Sequence, residues 1–105
     1  MRKSQKSRRA AELLCWELTK MEVLMRDDFR CQYKGHNCQQ IAVDISHVLT
    51  KGAHPALKFD PDNLLAACRP CHTEYEGGSE RHRNILRDNY PERWARIEEQ
   101  LHNGK

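Results

Sequence analysis

The part of this sequence best suited to chemistry is residues 44–76, where two histidines and an asparagine lie close to paired cysteines. The first histidine, His47, follows a run of strand-forming residues, Asn63 follows a long polar loop, and His72 comes directly after a cysteine pair. Imidazole changes its charge near neutral pH, so it suits proton transfer, and it is also a common metal ligand. This order of residue types predicts hydrolysis assisted by a metal ion, in which one histidine moves a proton and the other binds the metal.

Four of the five cysteines form two pairs that can bind one metal ion. Cys31 and Cys38 are separated by six residues, Cys68 and Cys71 by two, and 29 residues lie between the pairs. The two-residue spacing is typical of a knuckle whose sulfurs reach one tetrahedral zinc ion at ~2.3 Å. We therefore predict a structural zinc site with four thiolate ligands and no open position for chemistry. Two alternatives stay open: His36 replaces one of the first pair, or the four thiols are unrelated and buried.

Hydrophobic patterning and turn residues indicate the elements that position these side chains. We predict a helix over residues 10–26, a strand over 41–48, a long loop over 49–62 and a short second strand over 63–67. The two strands are close enough in the sequence to pair as a hairpin between the cysteine pairs.

Three further helices are predicted after this hairpin. The first begins near His72 and ends by Gly77, and the second is capped by Ser79 and runs to about Asp88. The last begins at Pro91, a residue favoured at the first position of a helix. Its apolar residues repeat at helical spacing and should dock on the core, and they are Trp94, Ile97 and Leu101.

The helix over residues 10–26 carries apolar residues at intervals of three to four, and we expect this stripe to pack on the rest of the domain. Its members are Ala10, Leu14, Leu18, Met21 and Met25, and the stripe is widened by Leu13, Val23 and Leu24. The fifth cysteine, Cys15, lies in the same pattern beside Trp16, so we expect it to be a small buried hydrophobic residue.

Length and composition predict one small domain. The chain has 105 residues, of which 38% are hydrophobic and 31% charged, and a core of this size often needs a staple such as a metal ion. No apolar run approaches the ~20 residues that span a bilayer, and the basic N-terminus lacks the apolar segment of a signal peptide. We expect a cytoplasmic protein, in a reducing compartment where close cysteine pairs bind metals.

The net charge of +3 is unevenly distributed along the chain. Residues 1–9 contain five basic residues and no acid, which leaves 13 basic and 15 acidic residues, a charge of −2, for the rest. A basic segment suits non-specific contact with phosphates, and the alternative is a solvated, disordered tail. We predict a flexible basic arm over residues 1–9 and one domain over 10–105.

Several pieces of the sequence carry a resemblance to a known family. The pieces are Arg26-Asp27-Asp28-Phe29-Arg30-Cys31, Val43-Asp44-Ile45-Ser46-His47-Val48, Asp60-Pro61-Asp62-Asn63-Leu64 and Cys68-Arg69-Pro70-Cys71-His72. In this order they resemble the His-Asn-His (HNH) endonucleases, the ββα-metal or His-Me finger superfamily, in its zinc-bearing branch with free-standing phage members. The resemblance covers about residues 26–77. It implies an α+β fold, with a small ββα-metal core and a four-cysteine zinc site flanked by an N-terminal helix and by C-terminal helices over about 79–102.

The resemblance also implies roles for three residues. His47 corresponds to the general base, and His72 corresponds to a ligand of the catalytic divalent ion. Asn63 corresponds to the asparagine that ties the long loop to its neighbours by side-chain hydrogen bonds and so positions the base.

The second ligand of the catalytic ion departs from the common pattern. Many members carry an acid or a histidine immediately before the base, where this chain has Ser46. A minority carry an acid three residues before it, as Asp44 stands here, and positions 44 and 46 project to the same side of a strand. The resemblance therefore implies Asp44 as a ligand. Glu76 lies four residues after His72, on the same helical face, and is a further candidate.

The implied activity is divalent-metal-dependent hydrolysis of DNA phosphodiester bonds, leaving a 5′-phosphate and a 3′-hydroxyl. The implied cofactors are a structural Zn²⁺ and a catalytic Mg²⁺, Mn²⁺ or Ni²⁺. One site cuts one strand, so a monomer should nick double-stranded DNA, with low sequence specificity unless a partner protein targets it; a double-strand cut needs a homodimer or two visits. The residues expected to contact DNA are Arg2, Lys3, Lys6, Arg8, Arg9, Lys51, Lys58 and Arg69.

Two other functions are compatible with parts of the pattern. A non-catalytic nucleic-acid-binding zinc ribbon needs the cysteines and the basic arm, but it does not need Asp44, His47 and His72 together. A small protein-interaction module explains the zinc site but not the strand histidine. Replacing His47 separates these functions from a nuclease.

Overall fold

The computed structural model describes residues 3–35, 37–74 and 80–103. Four α-helices and two strands make up the regular structure of these residues, and two short 3₁₀ helices, Pro55–Leu57 and Pro61–Asn63, interrupt the long loop. The strands are β1 (Asp44–His47) and β2 (Leu64–Ala67), and the helices are α1 (Lys3–Arg26), α2 (Arg69–Glu74), α3 (Glu80–Asn89) and α4 (Pro91–Asn103). No helix among the described residues is both long and apolar enough to span a bilayer.

The strands β1 and β2 pair antiparallel, with Asp44 opposite Ala67 and His47 opposite Leu64. The first strand is shorter than predicted, because Gln40 has a positive φ of 72° and breaks the extended chain before it. Ile41 makes only an isolated bridge to Arg30. The second strand matches the prediction to within one residue.

The two faces of this hairpin are covered by different parts of the chain. Leu64 and Ala66 of β2 belong to a cluster with Val23 of α1, whereas Leu65 and Ala67 belong to a cluster with the cysteines and the C-terminal helices. All four residues of β2 are buried, which explains why this strand is uniformly apolar rather than alternating. The predicted α+β fold, two strands with flanking helices and a four-cysteine cluster, is confirmed.

The N-terminal helix differs from the prediction in its start and in its buried face. It begins at Lys3, because Lys, Gln and Arg are good helix formers even without an apolar stripe. The side of α1 that faces the hairpin carries Trp16, Thr19 and Val23. Of the stripe expected to pack on the core, Val23 is buried and Leu24 is half-buried. The other members are exposed, as is Cys15, and they are Ala10, Leu13, Leu14, Leu18, Met21 and Met25.

The predicted basic arm over residues 1–9 therefore lies mostly within a helix. Residues 3–9 form the first turns of α1, and the side chains of Lys6, Arg8 and Arg9 are exposed. The division of the chain at residue 9 into an arm and a domain stays a prediction.

The last helix, α4, begins at Pro91 as predicted, and Ile97 is fully buried in the cluster around the cysteines. Trp94 and Leu101 pack against the same cluster. Arg96 of α4 makes two hydrogen bonds of 2.8 Å to the carboxylate of Asp62, which ties the helix to the end of the long loop. Helix α4 thus supports the loop that lies between the strands.

Candidate active site and zinc site

The four paired cysteines come together in the fold. Their sulfur atoms all lie within 4.8 Å of one another, and three of the four residues are buried. The backbone N–H of Gly35 donates to the sulfur of Cys71, and the backbone N–H of Gln39 donates to the sulfur of Cys68, both at 3.3 Å. A tetrahedral zinc ion with Zn–S bonds of ~2.3 Å needs sulfurs ~3.8 Å apart, so this donor set fits zinc with little adjustment. The predicted four-cysteine cluster is confirmed.

The thiols of this cluster differ in how readily they ionise. Burial raises the pKa of Cys71 and of Cys38. Burial also opposes ionisation of Cys68, but the N–H groups of Gln39 and Cys71 and the neighbouring thiols outweigh it and lower its pKa to about 7. A divalent cation needs thiolates, and the lowered pKa of Cys68 prepares it to supply one.

The first histidine of the predicted site, His47, is the last residue of β1 and is held on two sides. Its Nε2 lies 3.0 Å from the backbone oxygen of Lys58, and its ring stacks on Trp16 of α1 with centroids 5.3 Å apart and planes at 17°. A carbonyl oxygen can only accept, so Nε2 carries the proton and Nδ1 of the neutral ring keeps a free lone pair. Trp16 and Lys58 therefore orient the ring and select its tautomer.

The environment of His47 favours this neutral form. Burial is the main cause that lowers its pKa below the usual 6.5. The hydrogen bond to Lys58 acts in the opposite direction and raises the pKa, whereas the positive charges of Lys51 and His72 lower it further. Neutral imidazole is the form that can accept a proton. At neutral pH the Nδ1 atom is therefore available as a base.

Asp44, the first residue of β1, contacts His72 of α2. The carboxylate Oδ2 of Asp44 lies 3.2 Å from Nδ1 of His72, and Arg69 donates to the same carboxylate at 3.2 and 3.4 Å. Burial alone would raise the pKa of Asp44, but the hydrogen bonds from Arg69 and His72 outweigh it and lower this pKa. Two ligands at ~2.1 Å from an octahedral ion and at a right angle are ~3.0 Å apart, so the two side chains fit one coordination sphere.

The base and the ligand pair lie on opposite faces of β1. Asp44 contacts residues of α2, and His47 contacts α1, as expected for positions of opposite parity along a strand. The charge of His72 contributes to the lowered pKa of His47, so the two groups are close enough to interact electrostatically. Glu76 and the alternative zinc ligand His36 lie outside the described residues.

Asn63 is fully buried and bridges the two ends of the long loop. Its Oδ1 accepts from the N–H of Leu49 at 2.7 Å, and its Nδ2 donates to the carbonyls of Leu49 and Leu57 at 3.0 and 3.2 Å. Lys58, which holds His47, follows Leu57 directly in this loop. The asparagine side chain thus fixes the segment that positions the histidine.

A groove of about 320 Å³ opens beside His47, between α1 and the loop. Three of its lining residues are basic, Arg9, Lys51 and Lys58, and all three are among the predicted DNA contacts. Lys58 is also paired with Glu12 at 3.5 Å. The lining residues are Arg9, Glu12, Leu13, Trp16, His47, Lys51, Lys58 and Phe59.

Three of the other predicted DNA contacts, Lys6, Arg8 and Arg69, are not among the residues that line this groove. Lys6 and Arg8 are exposed on α1, and Arg69 lies beside Asp44, where its side chain is largely exposed. Arg2 and the side chain of Lys3 lie outside the described residues.

Sequence reasoning missed the contacts that join the end of α1 to the hairpin. Arg26 donates to the backbone oxygens of Pro61 and Leu64, both at 2.7 Å. The buried carboxylate of Asp27 accepts from the N–H of Ala66 at 3.0 Å. Both residues stand in the first of the resembling pieces, but only the fold shows which groups they bind.

A second missed group is a buried polar cluster behind β1. The hydroxyl of Ser46 lies 2.9 Å from Nε2 of His82 in α3, and the hydroxyl of Tyr33 contacts the same nitrogen. Ser46 and His82 are almost fully buried. Ser46 thus has a structural partner at the position where the common pattern has a metal ligand. The only signal for it in the sequence was the position of His82, four residues before the apolar Leu86 and therefore on the same side of the helix.

Comparison with known proteins reveals a related fold. A crystal structure of an HNH endonuclease from the deep-sea thermophilic bacteriophage GVE2, determined with a manganese ion, is similar to this chain. The alignment covers 68% of this chain and 78% of that one, with 25% sequence identity and a TM-score of 0.51. This chain has an HNH-like fold. No family model and no curated protein sequence matches it.

Proposed function

We propose that this protein is a divalent-metal-dependent DNA endonuclease that hydrolyses one strand and leaves a 5′-phosphate and a 3′-hydroxyl. Similarity to an HNH endonuclease supports a nuclease function in general. The observation that carries the finer proposal is the arrangement of three side chains around β1. There His47 presents an unprotonated Nδ1 on one face, and Asp44 and His72 meet at 3.2 Å on the other.

His47 is the general base in this proposal. Its Nδ1 takes a proton from the attacking water, and the hydrogen bond from Nε2 to the carbonyl of Lys58 stabilises the imidazolium that forms. The stacked Trp16 prevents the ring from turning away. Asn63 supports the same function from the loop, because it fixes the segment that contains Lys58.

Asp44 and His72 are the proposed ligands of the catalytic ion, for which the neighbouring acid Glu76 is a further candidate. Mg²⁺, Mn²⁺ or Ni²⁺ would neutralise charge on the scissile phosphate and on the leaving 3′ oxygen. Mixed carboxylate and imidazole ligands suit Mn²⁺ and Ni²⁺ particularly well. Arg69 neutralises Asp44 in the structure. Its exposed guanidinium can bind a phosphate oxygen once a cation takes its place at the carboxylate.

The four-cysteine site is proposed to hold a structural Zn²⁺. With four thiolates it offers no open position, so it contributes to folding and not to the reaction. The cysteines flank the hairpin in the sequence, and Cys68 and Cys71 directly precede His72. The zinc site therefore sets the position of the helix that carries a catalytic ligand.

Double-stranded DNA is the proposed substrate, bound mainly through its phosphates. Arg9, Lys51 and Lys58 line the groove beside the base, and Lys6 and Arg8 extend the basic surface along α1. Contacts of this kind position the duplex without reading its sequence. We therefore expect low sequence specificity and binding that weakens steeply with salt.

Nicking of supercoiled plasmid tests the proposal. The chain is incubated with Mg²⁺, Mn²⁺ or Ni²⁺, and we expect His47→Ala to lower the nicking rate by at least ~100-fold, the usual contribution of a general base. His102→Ala is the matched control, since His102 is exposed at the end of α4, far along the chain from the site. Zinc content and thermal unfolding of both variants show that the fold is retained.

Two results would overturn the nuclease assignment. One is a chain that binds DNA but nicks with none of the three metals, which would favour a nucleic-acid-binding zinc ribbon. The other is a His47→Ala variant that nicks as fast as the His102→Ala control.

A further inference from the structure

The outer face of α1 is apolar and uncovered. Leu14, Leu18, Met21 and Met25 are 61%, 64%, 51% and 65% exposed. The opposite face of the same helix already packs on the hairpin through Val23, which is fully buried. The exposed stripe is therefore a second apolar face of α1 and does not belong to the core of the chain.

The spacing of this stripe fits another helix. With Ala11, which is also exposed, its members follow one another at intervals of three, four, three and four residues. This is the alternation of the a and d positions of a coiled coil, in which each apolar side chain inserts between four residues of the facing helix. At 24 residues, α1 is long enough to present two full heptads. A flat protein surface or a lipid surface does not require this alternation.

We infer that the occupant of this face is the α1 helix of a second copy of the chain, packed antiparallel. The charges beside the stripe decide the direction. In a parallel pair, the positions that flank the seam would place Glu17 of one copy against Glu22 of the other. This contact between like charges would occur twice, once on each side of the seam. In an antiparallel pair, Arg8 faces Glu22 of the second copy twice, with opposite charges. All three side chains are exposed.

One like-charge contact remains in the antiparallel arrangement. Glu17 lies near the symmetry axis and faces its own copy. Its carboxylate is already paired with Lys20 at 3.0 Å, which offsets the repulsion. The opposite-charge contacts occur twice and the self-contact once, so the balance favours the antiparallel dimer.

The contacts between Arg8 and Glu22 also fix the register of the antiparallel pair. Leu14 of one copy packs against Leu18 of the other, and Cys15 lies beside Cys15 of the second copy, next to the axis. Cys15 is an exposed free thiol. In a parallel pair the two Cys15 side chains lie on opposite flanks of the helix pair, so a short cross-linker distinguishes the two directions.

Sedimentation equilibrium of the zinc-loaded chain tests the dimer. We expect dimers at about 100 µM, and we expect Leu18→Glu to weaken dimerisation by at least ~100-fold, because it places two charges in the apolar seam. Leu13→Glu is the matched control. Leu13 is 63% exposed but lies off the seam, so this variant should dimerise like the parent chain. A monomeric parent chain, or a dimer that Leu18→Glu leaves intact, overturns the inference.

Two further measurements test the direction of the helices. A short bis-maleimide should join two copies through Cys15 in the parent chain and not in Cys15→Ser. Arg8→Glu and Glu22→Arg should each weaken the dimer, and the double variant should restore it. A dimer that Glu22→Arg strengthens, or that does not cross-link at Cys15, contradicts the antiparallel arrangement. None of these measurements uses nuclease activity, so their outcome is independent of the proposed function.

Discussion

The three hydrogen bonds of the buried Asn63 side chain predict a large effect for Asn63→Ala. The truncation leaves the N–H and the carbonyl of Leu49 without their partner, whereas the carbonyl of Leu57 still accepts from the N–H of Asp60 at 3.2 Å. A buried polar group without a partner costs ~1–3 kcal/mol, so two give ~2–6 kcal/mol as an upper range. Relaxation of the loop and entry of water recover part of this, and we expect a loss of about 3 kcal/mol in the free energy of unfolding.

Urea denaturation of the zinc-loaded chain, followed by far-UV circular dichroism, measures this loss. Such a loss is a large part of the ~5–15 kcal/mol that stabilises a typical domain, so the midpoint should fall clearly. Asn84→Ala is the control. Asn84 accepts from Arg87 on the exposed side of α3, and its removal should change the free energy by less than about 0.5 kcal/mol.

The same variant separates stability from function. Under conditions where Asn63→Ala is still folded, nicking should fall, because the loop that contains Lys58 no longer holds His47. A loss of less than about 1 kcal/mol in unfolding free energy, with nicking unchanged, would refute the idea that the asparagine fixes the loop.

Three further predictions concern protons and metals at the two sites. Burial lowers the pKa of His47 below 6.5, so the neutral base persists into mild acid. As the pH is raised, the single-turnover nicking rate at saturating metal should increase with a midpoint below pH 6.5 and then level off. A midpoint above pH 6.5 contradicts the role of His47. Arg69→Ala removes a positive charge from Asp44, so calorimetric titration with Mn²⁺ should show an affinity roughly threefold higher, whereas weaker binding would mean that Arg69 helps to build the site. Removal of zinc by a strong chelator should unfold the chain, since structural zinc binding contributes ~10 kcal/mol or more to folding; an unchanged circular dichroism spectrum after verified zinc loss would exclude that role.

The elements that the sequence predicted well carry strong local signals. Helix α4 begins at Pro91 and buries Ile97 as its spacing indicated. The strand β2 is a short apolar run and was placed to within one residue. The strand β1 was predicted too long. The chain turns at Gln40, which has a positive φ, and glutamine is not a residue type from which a positive φ is predicted.

Most of the apolar stripe of α1 that was predicted to be buried is exposed, and Val23 at its edge is buried instead. Periodicity reports only which residues share a side of a helix, and this helix has apolar residues on two sides. The shape of the hairpin decides which side of α1 it covers. Leu64 and Ala66 of β2 pack in one cluster with Val23, so the side that carries Val23 is buried. The stripe through Leu14 and Leu18 is left exposed.

The sequence by itself determined the donor atoms and the order in which the chain supplies them. The spacing of the cysteines predicted their cluster, and residue types marked His47, Asn63 and His72 as a group. Chemistry of this kind is a property of single side chains and of short separations, so it can be read without a fold.

Only the tertiary structure decided how these groups are used. It stacks Trp16 on His47, places Arg69 on the carboxylate of Asp44, and gives Ser46 to His82 rather than to a metal. Each of these contacts joins residues at least 25 positions apart, as the hydrogen bond between Arg69 and Asp44 illustrates. Such contacts form only when whole helices and strands pack against each other. A buried contact needs a surface from each of two elements, so the sequence around one partner does not predict it.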